Sequence, residues 1–129
     1  MAGTLTVTFA QASNPRVITL DWVSTAGGAV SESVFLQGTI ARVIIIPSGS
    51  AAPTALYDMT LVGLGSIDLL SGQGANLSAT VTSEVCPLVT STDGTTATPK
   101  KRAVSETVTL TIANAGDTKE GQVIIYLTD

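Results

Sequence analysis

Leu5, Val7 and Phe9 alternate with Thr4, Thr6 and Thr8, and this two-residue rhythm, returning along most of the chain, leaves few folds open. Successive side chains of a strand point to opposite faces, so the rhythm marks strands with one face buried. Ser13-Asn14-Pro15 punctuates the first run. Ile18, Leu20 and Trp22 carry a second run, with the Trp22 face expected inward. Gly27-Gly28 opens a turn, and residues 33–36 read as extended. Residues 40–46 are apolar except for Arg42, the pattern of a central strand covered on both faces. After Pro47 and a small-residue connector, Tyr57, Met59 and Leu61 mark another strand. Gly63-Leu64-Gly65-Ser66 reads as a hairpin loop, and residues 67–70 as the returning strand. Strands are also expected over residues 76–81 and 83–88. Residues 89–103 read as a long polar loop rich in Thr. Val104, Val108, Leu110 and Ile112 then lead to the turn cluster Asn114-Ala115-Gly116-Asp117, and residues 123–127 close the chain as an apolar strand. No amphipathic helix of useful length is present. The expected fold is therefore all-β: one domain over residues 1–129, an antiparallel β-sandwich or jelly roll of about seven to nine strands.

Composition agrees with that expectation and narrows the partners. Only 12% of the 129 residues are charged, about half the usual share, and Thr and Ser supply much of the polar surface instead. The net charge of −4 and the lack of any basic cluster beyond Lys100-Lys101-Arg102 speak against nucleic acid as a partner. Aromatics, at 4%, are too few for base-stacking platforms or for a typical sugar-binding face. The N-terminus lacks the basic and apolar regions of a signal peptide, and no apolar run approaches a membrane span. No membrane partner is expected, and the chain is expected to stay in an aqueous compartment.

Reactive chemistry is sparse. The sequence has no His, which removes the commonest general base and metal ligand. Its one cysteine, Cys86, allows no internal disulfide. Followed by Pro87 in an apolar strand context, it reads as a small core hydrophobe. Asp58 and Asp68 fall on adjacent expected strands and could face each other as a glycosidase pair or share a cation, although strand-end acids are far commoner. Asp93-Gly94 reads as a plain turn. Gly72-Gln73-Gly74-Ala75-Asn76 lacks the Lys-Ser or Lys-Thr of a phosphate loop, so its glycines are expected to serve backbone conformation. Asn76-Leu77-Ser78 fits a glycosylation sequon but has no secretory context. No enzymatic activity, cofactor or metal is expected. Lys100, Lys101 and Arg102 read first as part of a solvated loop and second as a docking patch for an acidic protein surface. With Gly27, Gly28 and the N-terminal segment, they are the candidate protein contacts.

Two segments carry a family resemblance. The first is Ala52-Pro53-Thr54-Ala55-Leu56-Tyr57-Asp58-Met59-Thr60-Leu61, continuing through Gly65-Ser66-Ile67-Asp68-Leu69-Leu70-Ser71-Gly72 to Ala75-Asn76-Leu77-Ser78. The second is Leu110-Thr111-Ile112-Ala113-Asn114-Ala115-Gly116-Asp117-Thr118-Lys119 with the closing apolar strand. Together with residues 9–22, this layout resembles small virion structural proteins of tailed bacteriophages, many of which are β-rich and decorate or cement capsids or sit in tails and fibres. The acidic turn usual in that group after the Tyr-Asp strand is replaced by Gly63-Leu64-Gly65-Ser66. The resemblance implies a non-enzymatic virion component assembled in the host cytoplasm. Its expected partners are the major capsid protein or other virion proteins, and copies of itself in a homo-oligomer. A capsid decoration or cement role leads. A tail or fibre component, with a receptor- or glycan-binding module, is the alternative. The resemblance carries over no catalytic residues.

Overall fold

A computed structural model describes residues 3–10, 16–93 and 96–128. The expected punctuation at Ser13-Asn14-Pro15 and the Gly94 half of the Asp93-Gly94 turn lie outside the described residues. Eight antiparallel strands form: β1 (Thr4–Ala10), β2 (Arg16–Val23), β3 (Val30–Pro47), β4 (Asp58–Val62), β5 (Ser83–Val85), β6 (Leu88–Asp93), β7 (Thr96–Ala113) and β8 (Glu120–Thr128). The order across the sheet is β1-β2-β8-β3-β7-β4, with β5 on β3 and β6 on β7. Apart from a 3₁₀ turn at Leu64–Ser66, no helix occurs among the described residues.

The all-β expectation holds, and the fold is sandwich-like, with the 18-residue β3 shared between its two halves. Gly38 of β3 takes φ +133°, a conformation that glycine alone adopts freely. A side chain there would also strike the Thr128 carbonyl, since a Cβ would lie 2.7 Å from that oxygen. The register then slips between Ile40 and Arg42. A one-residue bulge exchanges the faces of a strand. Accordingly, Val34, Leu36 and Ile40 are buried before the slip, and Val43 and Ile45 after it. The first half of β3 pairs with β7, and the second half with β8 and β5.

The core fills the space between the two halves. Leu20 and Trp22 of β2, Ile125 of β8 and Val43 and Ile45 of β3 face Val108, Leu110 and Ile112 of β7 and Met59 and Leu61 of β4 in one cluster. Leu5 and Val7 pack against its margin. Trp22 and Tyr57, both fully buried, approach to 5.8 Å between ring centroids.

Five local expectations are corrected. Residues 40–46 are not covered on both faces: Ile44 and Ile46 are half-buried on the outer side, opposite Ile124 and Gln122 of β8. Residues 67–70 and 76–81 form no strand. They belong to a loop whose positive φ values at Gly65, Ser66, Ser71, Gly72 and Asn76 repeatedly turn the backbone out of extended geometry. Residues 83–88 hold only the three-residue β5 before the chain passes through buried Pro87 into β6. Residues 89–103 are not a loop. Residues 89–93 lie in β6 and residues 96–103 in β7, paired from Leu88 with Lys101 to Asp93 with Thr96, and then alongside β3.

Candidate interaction surface

The basic triplet sits where β7 leaves the core. Lys100 pairs with Val89 and Lys101 with Leu88, whereas Arg102 already pairs with Ile40 of β3. Neighbouring strand residues point to opposite faces, so the three charges cannot form one patch, contrary to the sequence expectation. Arg102 is partly buried and donates from Nη2 to Ser71 Oγ at 2.9 Å, which ties β7 to the loop after β4. Ser71 Oγ donates in turn to the Leu88 carbonyl at 3.2 Å. Lys100 and Lys101 remain exposed, next to exposed Leu88 and Val89. These four residues mark the root of a two-stranded ribbon, β6 with the first third of β7, that pairs with no third strand among the described residues.

Gly27 and Gly28 lie at the far end of the first half of β3, about 33 Å from Arg102 by strand rise. Gly27 is exposed. Gly28 is buried: its N–H donates to the Thr25 carbonyl at 3.0 Å, and its own carbonyl accepts from Ala115 at 2.9 Å. Gly28 is therefore a structural turn residue and no contact point, which corrects its place among the candidates. The structure does not bring the glycine turn and the lysines together.

The carboxylates are engaged in building the loop. Asp58 accepts from the Asn76 N–H at 2.9 Å and from Asn114 Nδ2 at 2.8 Å. These two donors hold its carboxyl below the usual aspartate range. Asp68 accepts from the N–H groups of Leu61 at 3.1 Å, Leu70 at 3.0 Å and Gly72 at 3.0 Å. Asp68 bridges Val62, at the opposite end of β4 from Asp58, so about 13 Å of strand separates the two positions. The two carboxylates accept from different parts of the loop and strand, Asp58 from Asn76 and Asp68 from Leu61, Leu70 and Gly72. Among the described residues, no three His, Cys, Asp or Glu side chains come together in a metal-holding group.

Cys86 corrects another expectation. It is exposed, and its thiol donates to the Ala41 carbonyl at 3.2 Å. Val85 takes the inward position beside it, so strand alternation turns Cys86 outward. Burial also removes Trp22 and Tyr57 from any sugar-facing role and pushes the Tyr57 hydroxyl up to about 12. Tyr126 stays at the surface with the Arg42 guanidinium 4.9 Å from its ring centre.

A half-buried apolar face that the sequence reading missed lies on the outside of β2, β8 and the second half of β3. Val17, Tyr126 and Arg42 form one cross-strand row, and Thr19, Ile124 and Ile44 the next. The apolar members of both rows are half-buried. The continuous apolar run of residues 40–46 was the available signal, assigned to the wrong cover. Comparison with family models, with curated proteins and with solved structures yields no match to this chain.

Proposed function

We propose that this protein is a non-enzymatic structural subunit of a tailed-bacteriophage particle, a decoration or cement protein that binds and stabilises the outer capsid surface. The observation that carries the reading is the two-stranded ribbon. A hairpin with no third strand is marginally stable in water by itself, and this one exposes Leu88 and Val89 beside two lysines at its root. A partner offering apolar and acidic groups, such as a major capsid protein, would complete it. The half-buried isoleucines outside β8 and β3 offer a second contact, and repetition over a shell lets weak contacts add through avidity. The resemblance of residues 52–78 and 110–119 to virion proteins points the same way. Burial of Trp22 and Tyr57 leaves a glycan-binding fibre module with less support.

The test is to mix the purified protein with shells that lack it and image them. Ordered density on the shell, weakened at least tenfold in occupancy by Lys100→Glu with Lys101→Glu, is the expected outcome. Binding to tails alone, or to no part of the particle, would overturn the assignment.

A further inference from the structure

Strand edges present unpaired N–H and C=O groups, and proteins guard them with short length, charge, proline, bulges or covering loops. Most edges of this sheet carry such a guard. β5 is three residues long, has Glu84 ion-paired to Arg42 at 2.7 Å, and is followed by Pro87. The stretch of β3 before Thr39, paired with β7 on one side only, has the Gln37 carbonyl taken by Arg16. Glu32 on that stretch is exposed although it shares the inward register of Val30 and Val34. The ribbon bears Pro99, Lys100 and Lys101. β4 is covered by the loop that follows it.

Among the described residues β1 has none of these guards. It spans seven residues without charge, proline or register slip, and its only strand partner among the described residues is β2. Thr4, Thr6 and Thr8 face solvent, while Leu5, Val7 and Phe9 share the core side. Leu5 and Val7 are only partly covered, and Phe9 is 54% exposed.

We infer that β1 is a homodimer edge, pairing antiparallel with β1 of a second copy about a two-fold axis at Val7. Residues directly opposite in an antiparallel pair project to the same face. Joining core side to core side therefore requires an even sum of paired residue numbers. Of the even sums, only fourteen engages all of β1. It sets Val7 against Val7, Leu5 against Phe9 and Thr6 against Thr8. The exposed Phe9 ring gains the partner's Leu5 as cover, and the threonines form a polar outer row. A second copy suits this edge because the chain carries a net charge of −4, yet β1 brings no charge to the axis. A self-pairing surface must be free of like-charge repulsion. The pairing is independent of where in a particle the protein acts, so its failure would leave the virion reading standing.

Sedimentation velocity over a concentration series tests it. Two seven-residue edges lie at the low end of interface size, so a monomer–dimer equilibrium is expected between roughly 1 μM and 1 mM. Thr6→Lys with Thr8→Lys places like charges opposite each other across the axis and should weaken the dimer at least tenfold. Thr6→Lys with Thr8→Glu places opposite charges there and should restore it to within about threefold. Both threonines are solvent-facing, and an unchanged circular dichroism melt confirms folding. A wild-type protein that stays monomeric throughout would overturn the pairing. So would trimers, a dimer indifferent to both variants, or one abolished equally by both.

Discussion

β4 and β1 lie at the two limits of the same sheet, and the chain treats them differently. Along β4 the loop that follows comes back to satisfy the backbone. Met59 donates to the Gly74 carbonyl at 2.7 Å, Leu77 to that of Tyr57 at 2.7 Å and Leu69 to that of Leu61 at 2.7 Å. Asp68 fills the remaining place at the Leu61 N–H. Along β1 no described segment returns. Among the described residues, nineteen of loop, 64–82, close one limit of the sheet and none closes the other. Edge chemistry of this kind can therefore be read as a statement about where the next chain belongs.

Breaking the closed limit should cost most at Gly74. A Cβ there would lie 2.2 Å from the Met59 carbonyl oxygen, backbone that cannot step aside cheaply. Gly74→Ala is expected to lose about 3 kcal/mol in denaturant unfolding, and a loss below about 0.5 kcal/mol would show that the loop does not lie against β4. Asp68→Ala should follow, at about 2 kcal/mol, because three backbone donors lose a charged acceptor. Amide hydrogen exchange at Leu61, Leu70 and Gly72 should accelerate with it, and unchanged exchange would refute the cap. The smallest effect belongs to Asp58 and depends on pH. Its folded-state carboxyl sits below the usual aspartate range, so the stability it adds is present above that range and fades as pH falls through the lowered value. Asp58→Asn should therefore be less stable than wild type at neutral pH, with the gap closing in acid. A gap constant from neutral to strongly acidic pH would show that the carboxylate contributes nothing through its charge.

What the sequence made legible followed the core. Leu5 and Val7, Ile18, Leu20 and Trp22, Met59 and Leu61, and Leu110 and Ile112 alternate because a buried layer lies on one side of each strand. Strands that face no core need not alternate, which is why residues 89–103 read as a loop although residues 88–93 pair with 96–101 and β7 runs onward along β3. Residues 33–36 and 40–46 looked like separate strands. They are one, because Gly38 takes its positive φ without interrupting the pairing with β7, and the bulge near Ala41 resets the inward phase. The loop of residues 64–82 was misread for the reverse reason. Ile67, Leu69 and Leu77 carry apolar side chains at strand-like spacing, but Gly65, Ser66, Ser71 and Asn76 take positive φ. Of the candidate contacts, Lys100 and Lys101 are exposed, while Gly28 and Arg102 are held by internal bonds that only three dimensions reveal.

One consequence of β7 is mechanical. The outer arm of the ribbon and a central core strand are the same uninterrupted backbone from Thr96 to Ala113. A pull on the ribbon along its length is handed straight to the pairs running from Ile40 with Arg102 to Val30 with Ile112, and to β4 on the other side. Those hydrogen bonds stand perpendicular to the strand, so the load falls on all of them together in shear. A pull along the ribbon is therefore expected to shear these pairs together rather than unzip them one by one.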